Sequence, residues 1–96
     1  MSGEFNFKDI LGELDRSETH LVVRMETRRW GKAVTVVQGL EKTGRSIQEI
    51  AHNLKSRLAT GGTVKDGLII LQGDHRDRVR DELVKQGFPP ANIEVF

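Results

Sequence analysis

The stretch Leu58-Ala59-Thr60-Gly61-Gly62-Thr63-Val64-Lys65-Asp66-Gly67-Leu68-Ile69-Ile70-Leu71-Gln72 decides the fold. It closes a helical pattern, breaks at two glycines, and runs on as two short strands around Asp66-Gly67. Asp-Gly supplies the positive φ angles of a two-residue turn, so Thr63-Val64-Lys65 and Leu68 to Gln72 are expected to pair as a tight hairpin. Gly61 and Gly62 are expected to end the preceding helix. Gly-rich loops also cradle phosphate, but those run from a strand into a helix, and a P-loop needs Gly-Lys-Ser/Thr. Here the glycines follow a helix and enter a strand, so a helix end and a turn is the better reading.

Upstream, Ser46 with Glu49 three residues on forms a capping box. Ile47, Ile50, Ala51, Leu54 and Leu58 then recur at helical spacing and form one buried stripe. Further back, Leu21 to Arg28 and Ala33 to Gln38 are β-branched runs joined through Arg29-Trp30-Gly31-Lys32, a first hairpin. Downstream, Asp74 is expected to cap a second helix, with Asp77 near its positive end and Val79, Leu83 and Val84 as its apolar stripe. Gly87 ends that helix, Phe88 packs back, and Pro89-Pro90 forbid continuation. Ile93 to Phe96 is a last strand. The order ββαββαβ, with one apolar stripe per helix, predicts an α+β two-layer sandwich: two helices on one face of a mixed β-sheet, the other face partly open.

Ninety-six residues make one domain with a modest core, burying about 60–70% of the unfolded surface. No cysteine is present, which excludes disulfides, thiolate metal sites and a cysteine nucleophile and points to a reducing compartment, the cytoplasm. No apolar run approaches the roughly 20 residues of a membrane helix, and the N-terminus lacks the pattern of a signal peptide. Residues 1–20 carry five acids and two bases, so an acidic N-terminal tail of net −3 precedes a domain, residues 21–96, of net +4. Phe7, Ile10, Leu11 and Leu14 allow that tail a short amphipathic helix; a frayed tail is the alternative.

Catalysis finds little support. His20, His52 and His75 are scattered without metal-ligand spacing, and no serine sits in a nucleophile elbow. No cofactor and no metal are expected. The informative cluster is Arg24, Arg28, Arg29, Trp30 and Lys32: four bases against Glu26 within nine residues. Arginine pairs with phosphate and tryptophan stacks on an unpaired base, so a hairpin carrying both suits a reader of folded RNA. A solvated turn with Trp30 folded back onto the domain accounts for the same residues. Lys55, Arg57 and Lys65 are further candidate contacts. Arg76, Arg78 and Arg80 lie on the second helix, where many of the cations are expected to pair with Asp77, Asp81 and Glu82 as a solvated, salt-bridged face.

The run Gly31-Lys32 with Val34-Thr35-Val36-Val37-Gln38-Gly39-Leu40 resembles the first signature block of the eukaryotic and archaeal translation initiation factor 1 family, which extends to bacterial homologues. Gly61-Gly62-Thr63-Val64-Lys65-Asp66-Gly67, then Leu71-Gln72-Gly73-Asp74-His75-Arg76, resembles its second block, and Gly87-Phe88-Pro89 with Asn92 to Val95 its last. The resemblance covers roughly residues 21–96. It implies a monomeric translation initiation factor that binds the small ribosomal subunit near the P site and promotes start-codon and initiator-tRNA selection. Its partners would be rRNA, with mRNA, initiator tRNA and other initiation factors nearby, and no membrane. By the same resemblance Arg28, Arg29, Trp30, Gly31 and Lys32 would reach rRNA and the mRNA channel, and the first helix, with Lys55 and Arg57, would face rRNA; Arg24, from the basic cluster, is counted with these candidate RNA contacts. Lys65, Asp66 and Gly67 would form a tRNA-proximal turn, and Gly61, Gly62, Gly73, Asp74 and Arg76 would be structural. The chain departs from the family in lacking a cysteine-rich metal knuckle and in its minimal second turn. A translational regulator or RNA-binding protein, for example a stress-related one, is the alternative function. A protein-interaction domain and an enzyme are weaker rivals.

Overall fold

The computed structural model describes residues 20–96. The expected N-terminal helix around Phe7 to Leu14, and with it the acidic tail up to residue 19, lies outside the described residues. Strands β1 (Leu21–Thr27) and β2 (Ala33–Gln38) form the first hairpin, and α1 (Ile47–Leu58) follows. Strands β3 (Gly62–Lys65) and β4 (Leu68–Gln72) form the second; α2 (Arg76–Lys85) and β5 (Ile93–Val95) complete the order ββαββαβ. The sheet order is β3-β4-β2-β1-β5, antiparallel throughout except for β5, which runs parallel to β1.

Alternation in the strands assigns the faces. Val23 faces Val37, Val37 faces Ile69, and Leu21 faces Ile93 across the sheet. These residues join Ile50, Ala51, Leu54, Leu58, Val79 and Leu83 of the helices in one buried cluster. Both helices therefore pack on a single face. On the opposite face Val36, fully buried, is flanked by half-buried Val22, Val34 and Ile70, with Arg24 directly across from it.

The ends of α1 correct one expectation. Ser46 Oγ accepts the Glu49 N–H at 3.2 Å, as the capping box requires. At the other end the left-handed residue is Ala59 (φ 52°), whose N–H returns to the Lys55 carbonyl. Gly61 and Gly62 are therefore not the helix cap. They are glycines because of close packing. A Cβ on Gly62 would lie 2.7 Å from the Ile70 carbonyl oxygen and 2.8 Å from Leu71 Cδ2, and one on Gly61 would lie 2.9 Å from Gln72 Oε1.

The second helix needs a similar correction. It begins at Arg76, its N-cap is His75, and no side chain caps it there. Asp74 stands one residue further out, taking the Arg76 N–H at 3.4 Å and the Arg76 guanidinium instead. The far end is as expected: Phe88 N–H bonds the Leu83 carbonyl at 3.1 Å and the ring is buried.

Candidate nucleic-acid interface

The two hairpin turns lie at opposite ends of β2. Ala33 begins β2 beside Gly73, whose N–H bonds the Ala33 carbonyl at 2.9 Å. The Asp66-Gly67 turn instead lies near Glu41, beyond the other end of β2. Six strand residues separate them, roughly 20 Å. The proposed tRNA-proximal turn and the basic turn are thus two sites and not one. Lys55 and Arg57, in the last turn of α1, fall at the basic-turn end, because the chain after α1 bonds Gln72 through the Gly61 carbonyl at 2.9 Å.

The basic turn is closed by Arg28 N–H to the Lys32 carbonyl at 2.7 Å and by Lys32 N–H to the Arg29 carbonyl at 3.3 Å. Between them Trp30 (φ 64°, ψ 24°) and Gly31 (φ 71°) are both left-handed. Glycine adopts this conformation freely; a bulky aromatic does so at a cost of about 1–2 kcal/mol. The consequence is display: Trp30 is 92% exposed, so it is not folded back on the domain.

The cations sort into two groups. Glu26 takes Arg24 at 2.7 Å and Arg28 at 3.0 Å, one on each oxygen, and Arg24 also donates to the Gln38 side chain. Arg24 is therefore held on the sheet face rather than at the tip. Arg29 and Lys32 make no ion pair among the described residues, nor do Lys55, Arg57 and Lys65. On α2 the expected pairing holds only in part: Arg80 meets Asp81 at 4.0 Å, while Arg78 has no ion-pair partner among the described residues.

Behind the turn lies an open groove of about 770 Å³. Val34 and Ala33 line it with Trp30, the turn's cations, Gln72 and Gly73. A brace that sequence reasoning missed holds this end together. Thr35 is the one buried polar residue among the described ones. Its hydroxyl donates to the Gly73 carbonyl at 2.7 Å and accepts the His75 N–H at 2.8 Å. His75 Nε2 lies 2.7 Å from the Gln72 carbonyl, which can only accept, so that nitrogen carries the proton. The available signal was a threonine at an inward position, between Met25 and Leu71 in the sheet, where a β-branched apolar residue would serve packing alone.

Asp74 and Arg76 form a bidentate pair at 2.8 Å and 2.8 Å, and Arg76 also donates to the Phe96 carbonyl at 2.7 Å. The side-chain bond from Arg76 holds the Asp74 carboxyl below its usual range, outweighing desolvation, and the same bond raises Arg76. These residues tie the start of α2 to the end of the chain. No group of three or more histidines and carboxylates able to hold a metal occurs among the described residues. No helix among them is long and apolar enough to cross a membrane.

The structure is thus a two-layer α+β domain that displays an aromatic ring, on a braced turn, between cations without an ion pair among the described residues. Residues 17–89 match the family described as Translation initiation factor SUI1. Among relatives, the Protein translation factor SUI1 homolog of Sulfolobus acidocaldarius is 51% identical over 88 residues, 92% of this chain and 89% of that protein. Its counterpart in Pyrococcus furiosus is 45% identical over 92 residues, 96% of this chain and 90% of that protein. The one in Hyperthermus butylicus is 43% identical over 99 residues, covering 97% of this chain and 96% of that protein. The chain belongs to the SUI1 family of translation initiation factors. The similarity reaches further than residues 21–96, since alignments covering 92% or more of the chain include part of the N-terminal segment.

Proposed function

We propose that this protein acts in the cytoplasm by binding the small ribosomal subunit near the P site, without catalysis, and there promotes start-codon and initiator-tRNA selection. Trp30 carries the reading: a large aromatic held in a strained conformation and left 92% exposed has no packing role, and its neighbours Arg29 and Lys32 are unpaired among the described residues. The cations contact rRNA phosphates, and the indole stacks on or wedges against a base. Lys55 and Arg57 extend the positive surface at the same end of the sheet. Lys65, on the remote turn, is left for initiator tRNA.

Co-sedimentation with small subunits at two salt concentrations tests this, comparing wild type with Arg28→Glu/Arg29→Glu. Wild type should travel with the subunit, more weakly at high salt, and the variant should not. If the variant binds as well as wild type, the basic turn is not the contact. If wild type binds free single-stranded RNA as tightly as it binds subunits, the protein is a general RNA-binding regulator instead.

A further inference from the structure

Gln72 combines a fixed backbone with a side chain on the open face of the sheet. Its backbone is immobilised on both sides. The N–H donates to the Gly61 carbonyl at 2.9 Å, and the carbonyl accepts from Thr60 Oγ at 2.8 Å and from His75 Nε2 at 2.7 Å. Its side-chain amide, by contrast, makes no hydrogen bond to any described residue. The amide itself lies over Gly61, where a Cβ would come within 2.9 Å of Gln72 Oε1 and 3.1 Å of its Cδ, so the absence of a side chain at Gly61 is what gives the amide its place. Gln72 is paired with Val34 across the sheet, and both line the groove that Trp30 borders. The groove thus combines an apolar floor, an exposed stacking face, cations at its rim, and an amide without a hydrogen-bond partner among the described residues, on a fixed backbone.

We propose that this groove takes a single unpaired adenine of the RNA, stacked against Trp30 and recognised at its edge by the Gln72 amide. The proposal rests on the RNA-binding reading and names its specificity. A carboxamide presents a donor and an acceptor side by side. Adenine offers the complementary pair, its 6-amino group with an adjacent ring nitrogen, on both of its accessible edges, so it fits in either stacking orientation. Guanine offers two acceptors on one of those edges and would leave the amide oxygen facing a like group. Phosphates on either side of the base fall to Arg29 and Lys32.

Trp30 is the only tryptophan in the chain, so its fluorescence reports the stacking directly. The test titrates the full-length protein with uridine hexanucleotides in which one central base is adenine or purine, the same ring lacking the 6-amino group. Both bases stack alike; only adenine supplies the donor. Wild type should quench with both and bind the adenine oligonucleotide about tenfold more tightly, as one lost bidentate pair implies. Gln72→Leu, an apolar side chain of similar size on the exposed sheet face, should quench with both and bind them equally. Equal binding of the two by wild type, or a preference that survives Gln72→Leu, would overturn the role of Gln72 while leaving the stacking of Trp30 intact. No quenching by either oligonucleotide would overturn the proposal alone; the RNA-binding reading is decided separately by the co-sedimentation with small subunits.

Discussion

The two hairpin turns solve one geometrical problem with opposite chemistry. Each places two consecutive residues in the left-handed region: Asp66 and Gly67 in one, Trp30 and Gly31 in the other. Aspartate and glycine are what such a turn asks for, and the second hairpin closes with no strain beyond that. Tryptophan is among the residues it asks for least. The first hairpin holds it there regardless, almost fully in solvent, at the end of the sheet where Thr35, Gly73 and His75 are bonded together. A local rule is broken where a ring must be presented, and kept where the chain only has to reverse.

Removing the brace should have the largest effect. Thr35→Val keeps the shape and leaves the His75 N–H and the Gly73 carbonyl without their partner. Denaturant unfolding should show a loss of about 2–3 kcal/mol, from two deprived polar groups. Substitutions in the two turns should then separate stability from binding. Gly67→Ala forces a side chain into the left-handed region and should cost about 1–2 kcal/mol of stability, with subunit affinity unchanged. Trp30→Gly should do the reverse. Relief of strain and added chain entropy offset one another to within about 1 kcal/mol, while lost stacking weakens binding about tenfold. If Trp30→Gly unfolds the protein, the ring is a packing residue and the contrast between the turns collapses.

The smallest effect belongs to Asp74. Its carboxyl titrates below its unfolded value because Arg76 favours the charged form, so the pair's contribution is present above about pH 4 and is lost as pH falls through the depressed value. Asp74→Asn should lose that acid-side dependence: it should be slightly less stable than wild type at neutral pH and converge with it in acid. The pair is exposed, so the difference should be only just resolvable by acid titration of the unfolding midpoint.

What could be read in advance follows the range of the forces involved. The helices, the strands and the Asp66-Gly67 turn depend on local periodicity and turn chemistry, and all were legible in the sequence. The Gly61-Gly62 pair was legible as a break but not as its cause, because the atoms that forbid a Cβ belong to Ile70, Leu71 and Gln72 on the neighbouring strand. Asp74 looked like a cap because an acid before a helix usually is one; its neighbour Arg76 claims it instead. The basic cluster was visible as composition, but Glu26 takes two of its arginines, and only geometry shows that Arg29 and Lys32 have no ion pair among the described residues. Thr35 bonds residues 38 and 40 positions away, beyond the reach of any local pattern.

The tip cations of the first hairpin, and not the second turn, are proposed to hold the ribosomal RNA. The decisive measurement is the affinity for small subunits, without tRNA, as a function of salt. It compares wild type with Arg29→Gln/Lys32→Gln and with Lys65→Gln. Losing two phosphate contacts should flatten the slope of log affinity against log salt by about 1.5 for the double variant, and Lys65→Gln should leave it unchanged. Identical slopes for wild type and the double variant, or a flattening confined to Lys65→Gln, would contradict it.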